Sequence, residues 1–141
     1  EVSYEVADDC LDYRLPRLTL QPVMENSITH GFAEMEEELG QIRISVYKDP
    51  EYLCLSVWDN GRGMSARKVH QLLEGRVRRH DDNWSIGLEN VLTRLRLHFG
   101  DAVVISITST PGKFTRIIFR LPLDACTKRE EDSNDSGSDR G

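Results

Sequence analysis

QIRISVYKDPEYLCLSVWDNGRGM, residues 41–64, sets the architecture. Residues 41–48 and 51–59 alternate apolar and polar side chains with a period of two and are rich in β-branched and aromatic residues. Split by Asp49–Pro50, they predict two strands. The second stops at DNGRGM, after which Ser65 is suited to cap a short amphipathic helix, ARKVHQLLEG. GRVRRHDDNWS, residues 75–85, has a glycine at its head, three arginines and little periodicity, and reads as a mobile loop. Ile86–Phe99 predicts the cleanest helix, with Leu88, Val91, Leu92, Leu95 and Phe99 on one stripe and Gly100 as its stop. AVVISITST (102–110) and FTRIIFRLP (114–122) predict two closing strands around Pro111–Gly112.

Upstream, Val2–Val6 has the alternation of an edge strand, and Leu11–Leu15 is a candidate second short piece. Leu20, Val23, Met24, Ser27 and Ile28 recur at helical spacing, which predicts a helix from near Pro22 to His30 with Gly31 as its stop. AEMEEELG (33–40) reads as a solvated acidic loop. The order strand, helix, two strands, helix, loop, helix, two strands is that of an α+β two-layer sandwich: a mixed sheet covered on one face by helices. No internal repeat is visible.

The chain has 141 residues, enough for one compact core, with 38% hydrophobic and 30% charged residues, a globular balance. No window approaches the ~18 apolar residues of a membrane span, and EVSYEVADDC resembles no signal peptide. The net charge of −6 argues against bulk nucleic-acid binding but permits an anionic small ligand, because a site is local. Residues 128–141, KREEDSNDSGSDRG, hold five acids, three bases and no apolar side chain. They cannot bury enough surface to offset their ordering entropy. Residues 1–125 are therefore expected to form the folded body and 126–141 a disordered acidic tail. Cys10, Cys54 and Cys126 are widely spaced and form no metal-binding pattern, which fits a reducing cytosol better than a disulfide scaffold.

Three clusters stand apart from the core pattern. Glu25-Asn26 with Thr29 and His30 sits on the predicted first helix, where Asn26, Thr29 and His30 share one face. Such a face can ligate Mg²⁺ through oxygen and touch phosphate, or be a polar outer face. Asp59-Asn60-Gly61-Arg62-Gly63-Met64 ends a strand. Its glycines let the backbone approach a flat ligand, and its carboxylate can accept a hydrogen bond from an exocyclic amine; DNG is also an ordinary tight turn. Ser85-Ile86-Gly87-Leu88-Glu89-Asn90 opens the best helix. Unpaired amides there welcome phosphate, or Ser85 simply caps the helix with Gly87 in the first turn. Arg76, Arg78, Arg79 and His80 precede it, so the loop could close over a polyphosphate or merely solvate itself.

Taken jointly and in this order, ENSITHG, DNGRGM and SIGLENVLTRLRLHFG resemble the GHKL (Bergerat-fold) ATP-binding superfamily. More narrowly, LPRLTLQPVMENSITHG resembles the N box, and IGLENVLTRL the second glycine box, of the catalytic domains of YesM/LytS-type sensor histidine kinases. The resemblance covers residues 1–123 and implies ATP and Mg²⁺ as ligands. It implies Asn26 as the metal ligand, flanked by Glu25, which helps order the metal's water shell. It implies Asp59 on the adenine amine, Gly61, Gly63 and Met64 along the base pocket, and Thr115 in support of Asp59. It implies Gly87 and Leu88 as the phosphate-side turn, Ser85 and Ile86 as further nucleotide-binding residues, and residues 75–85 as the ATP lid. Three positions depart from the pattern: Thr29 stands where the family often has Lys, leaving His30 or a lid arginine to meet phosphate, and Ser85 and Phe114 replace glycines.

Hydrolytic members place a glutamate base four residues before the metal asparagine; here that position is Pro22, which cannot activate water. The resemblance therefore favours phosphoryl transfer to a histidine over hydrolysis. The acceptor is expected on an upstream dimerisation helix of the parent kinase, since none of His30, His70, His80 and His98 lies in a phosphoacceptor sequence. It further implies a response regulator as partner, a cytoplasmic location within a membrane-bound homodimeric parent of the bacterial inner membrane, and a monomeric, autophosphorylation-incompetent isolated domain. A non-catalytic nucleotide-binding regulatory domain and a hydrolytic ATPase of the same fold are the competing readings.

Overall fold

Among the described residues, period-two alternation accompanies five strands: β1 (Val2–Val6), β2 (Ile42–Lys48), β3 (Tyr52–Asp59), β4 (Val104–Thr110) and β5 (Phe114–Pro122). Between β3 and β4 the described residues include two helices, α1 (Ala66–Glu74) and α2 (Trp84–Phe99). The structure, a computed structural model, describes residues 1–14, 23, 24, 28, 32, 40–74 and 84–126, and for residues 84–89 the backbone alone.

The strands form one mixed sheet in the order β1-β2-β3-β5-β4. β1 pairs parallel with β2 at the edge, and every other pairing is antiparallel. A parallel pair needs a crossover connection, which the residues between β1 and β2 are long enough to supply. Alternate side chains of the central strands face the helices: Ile42 and Ile44 on β2, Leu53, Leu55 and Val57 on β3, Ile117, Phe119 and Leu121 on β5. Leu72 of α1 and Val91, Leu92, Leu95 and Phe99 of α2 close over them in one apolar cluster. The expected stripe on α2 is thus the buried one, Leu88 lying among the residues whose side chains are not described. The opposite sheet face is more polar, and there the Arg43 guanidinium sits 5.0 Å from the Trp58 ring centroid.

Local chemistry explains the boundaries. Ser65 caps α1 as expected, its Oγ accepting the Lys68 amide at 3.2 Å. Ser65→Ala should destabilise the domain by about 1 kcal/mol, read by thermal melting. The turn from β4 to β5 is closed by the Lys113 amide donating to the Thr110 carbonyl at 3.0 Å, with Pro111 and Gly112 (φ 77°) at its centre.

Two expectations change. Leu11–Leu15 is not a strand: residues 11 and 12 turn, and only Tyr13 makes an isolated bridge, with Leu15 outside the described residues. Leu11 is 66% exposed in that turn, while Tyr13 packs partly buried against the core. The last long helix starts at Trp84, two residues earlier than its apolar stripe indicates. Ser85 therefore has helical backbone and is not the cap, which requires non-helical φ and ψ. Of the expected first helix, Val23 and Met24 are helical and Val23 is buried in the core, whereas Ile28 is exposed. The rest of that helix, residues 33–39 of the acidic loop and residues 127–141 of the tail lie outside the described residues, while Cys126, expected to open the tail, is instead buried in the core cluster.

Candidate functional site

Asp59 is the last residue of the middle strand, β3, and is only 6% exposed. In register it faces Ile42 on β2 and Thr115 on β5, and Thr115 is 2% exposed. These are the two buried polar side chains among the described residues. A carboxylate and a hydroxyl so placed need polar partners, because an unpaired buried polar group is costly.

The chain after Asp59 supplies part of that need by folding back. The Gly61 amide donates to Asp59 Oδ1 at 2.9 Å, a turn that holds the carboxylate at the strand end. Asn60 ties the same turn sideways: its Oδ1 accepts the Gln41 amide at 2.7 Å, and its own amide donates to the Gln41 carbonyl at 3.2 Å. Gly63 then adopts a φ of 65° and lies directly against the β4–β5 turn. The Gly112 amide donates to the Arg62 carbonyl at 2.6 Å, clamping the loop onto that turn.

Ser109 on β4 completes the junction. Its Oγ accepts the Met64 amide at 2.7 Å, donates to the Phe114 carbonyl at 2.7 Å and lies 2.9 Å from Thr115 Oγ1. The result is a rigid glycine-containing loop, residues 60–64, beside a buried acid and a buried hydroxyl. Chemically, this corner can accept hydrogen bonds from an amine while glycine backbone admits a flat ring.

The structure thus brings together Asp59, Gly61, Gly63, Met64 and Thr115 of the sequence-derived residues. Ser85, Ile86, Gly87 and Leu88 form the first turn of α2 and the step after it, as backbone only. Glu25, Asn26, Thr29, His30 and residues 75–83 of the expected lid lie outside the described residues. Ser109 and Gln41 escaped motif reading, and Asn60, though part of the DNGRGM cluster, has no role assigned by that motif. Ser109 was legible by counting back from the Pro111–Gly112 turn, which sets it opposite Thr115.

Other chemistry-bearing groups lead elsewhere. Cys10, Cys54 and Cys126 are buried free thiols, each pushed above the ordinary thiol pKa mainly by burial. That state is unreactive. Among the described residues no cluster of three His, Cys, Asp or Glu could hold a metal, and no helix is long and apolar enough to cross a membrane. His70 is surface-exposed and pairs with Glu74 at 2.9 Å one helical turn away.

A mixed five-stranded sheet with α1 and α2 on one face and a buried acid at the end of its middle strand defines an α+β sandwich, and residues 12–125 match the family of histidine kinase-, DNA gyrase B- and HSP90-like ATPases. The chain belongs to that family. It is 30% identical over 122 residues to the sensor histidine kinase BtsS of Escherichia coli K12, covering 86% of this chain and 19% of BtsS. To the sensor histidine kinase YesM of Bacillus subtilis it is 32% identical over 120 residues, 85% of this chain and 19% of YesM. The chain therefore spans about a fifth of the length of these relatives. The catalytic domain of histidine kinase ThkA shares the fold, with a TM-score of 0.60 at 15% identity over 86% of this chain and 79% of that domain.

Proposed function

We propose that this chain is the ATP-binding catalytic domain of a sensor histidine kinase, presenting the γ-phosphoryl group of Mg-ATP to a histidine on a dimerisation domain of the same kinase. The observation that carries the proposal is the buried Asp59 carboxylate, set at the end of β3 beside Thr115 and braced by the Gly61 amide. Its acceptor chemistry fits the exocyclic amine of adenine. Gly61, Gly63 and Met64 line the base, and the start of α2, residues Ser85, Ile86, Gly87 and Leu88, meets the phosphates, the Ser85 and Ile86 amides being among the first of the helix and so without an intrahelical partner. Membership of the family and kinship to sensor kinases support the same reading.

Asn26 is assigned the Mg²⁺, since a neutral amide oxygen suits a hard cation that keeps most of its waters, and Glu25 would order that water. His30 and the arginines of residues 75–83 meet the phosphate oxygens. When bound, Mg-ATP supplies the transferable phosphoryl group, and the domain contributes position and charge neutralisation rather than covalent chemistry. A response regulator is the downstream acceptor, the parent kinase is membrane-bound and homodimeric with this domain on the cytoplasmic side, and the unit that folds runs from residue 1 through the buried Cys126, ahead of an acidic tail.

The test is titration with a fluorescent ATP analogue with and without Mg²⁺. The wild type should bind saturably and more tightly with the metal. Asn26→Ala should lose about tenfold in affinity with Mg²⁺ present and show no metal dependence. No saturable binding by the wild type contradicts the assignment.

A further inference from the structure

We propose that Ser109 is a specificity-determining positioning residue: it fixes the direction of the Thr115 hydroxyl so that the base pocket selects a purine with an exocyclic amine over one with an oxo group in the same place. The inference rests on the adenine-pocket reading of Asp59 and deepens it.

The argument is a count of protons. Ser109 Oγ has three polar neighbours: the Met64 amide at 2.7 Å, the Phe114 carbonyl at 2.7 Å and Thr115 Oγ1 at 2.9 Å. A serine hydroxyl carries one hydrogen and two lone pairs. The amide can only donate and the carbonyl can only accept. The Ser109 hydrogen is therefore committed to Phe114, one lone pair takes the Met64 N–H, and the other is left for the Thr115 hydroxyl. The reverse arrangement would press an oxygen lone pair against the Phe114 carbonyl at 2.7 Å with no hydrogen between them. Thr115 accordingly donates to Ser109 and keeps only lone pairs for whatever meets its other side.

Thr115 faces Asp59 in the β3–β5 register. A carboxylate is likewise acceptor-only when ionised. The end of the sheet thus offers two acceptors side by side, matching an amino group and opposing a carbonyl oxygen. With Thr115 2% exposed, water has little access to reverse the hydroxyl. Ser109 also holds the Met64 amide, so one side chain links the base-lining loop to the polarity of the pocket wall.

The experiment compares calorimetric affinities for Mg-ATP and Mg-ITP, whose bases differ by a 6-amine against a 6-oxo group, with N1 an acceptor in the first and an N–H donor in the second, in the wild type, Ser109→Ala, Ser109→Thr and Asp59→Asn. In Ser109→Ala the Thr115 hydroxyl can rotate and donate, so the ATP-to-ITP affinity ratio should fall about tenfold, alongside a lower melting temperature from the Met64 amide left without its acceptor. Ser109→Thr keeps the hydroxyl and should keep the ratio. Should Ser109→Ala fail to fold, Ser109→Cys, with its weak acceptor, reads the same ratio. An unchanged ratio in the folded Ala or Cys variant overturns the proposal. ATP binding that survives intact in Asp59→Asn overturns instead the adenine-pocket reading beneath it.

Discussion

Asp59→Asn should lower the affinity for ATP by about 100-fold while leaving the domain folded. The substitution is isosteric, and its amide oxygen can still accept the Gly61 amide that now meets Asp59 Oδ1 at 2.9 Å. What changes is the other half of the group. An NH₂ replaces an oxygen acceptor, so the adenine amine meets a donor in a site only 6% exposed, where solvent offers little compensation. Loss of a charge-assisted hydrogen bond and creation of a donor–donor conflict both act against binding. Titration reports the affinity and a melting curve reports the fold. Wild-type affinity in the variant would place the base elsewhere.

Gly63→Ala should cost about 3 kcal/mol of stability and lower the melting temperature by about 10 °C. Two effects add. At φ 65° a side chain is strained by about 1 kcal/mol. The larger effect is steric: the new Cβ would overlap the Thr110 carbonyl oxygen, stand 2.8 Å from the Thr110 carbonyl carbon and 3.1 Å from the Phe114 oxygen. That carbonyl cannot step aside cheaply, because the Lys113 amide holds it in the turn at 3.0 Å. The loop would have to lift from the hairpin, parting the Met64 amide from Ser109. Nucleotide affinity should therefore fall together with stability. Gly100→Ala is the control, with φ 75° and nothing within 4 Å of the added carbon, and should lose only the backbone strain of about 1 kcal/mol. Equal losses in the two variants would show that packing of residue 63 on the hairpin is not what fixes the loop.

How the sequence announces this fold is clearest in residues 42–59. Alternation, β-branched side chains and a Pro-containing break specified two paired strands because one face had to be buried, and burial fixes register. The same logic made Val91, Leu92, Leu95 and Phe99 legible as the buried stripe of α2. It failed at Leu11–Leu15, where residues 11 and 12 turn and Leu11 is exposed, and at Trp84–Ser85, where backbone helicity precedes the apolar stripe. At the site, Asp59 and the glycines could be read from a contiguous motif. Ser109 could not, because its importance lies in three contacts made across strands and a turn, to Met64, Phe114 and Thr115. Motifs show residues that touch a ligand; the groups that orient them are scattered, and only register brings them together.

The most direct test of the central claim is a crystal structure of the chain with Mg²⁺ and a non-hydrolysable ATP analogue. The expected result is an adenine ring against Gly61 and Gly63 with its exocyclic amine about 3 Å from the Asp59 carboxylate. A nucleotide bound with its amine turned away from Asp59, or with its base outside this corner of the sheet, would contradict the account.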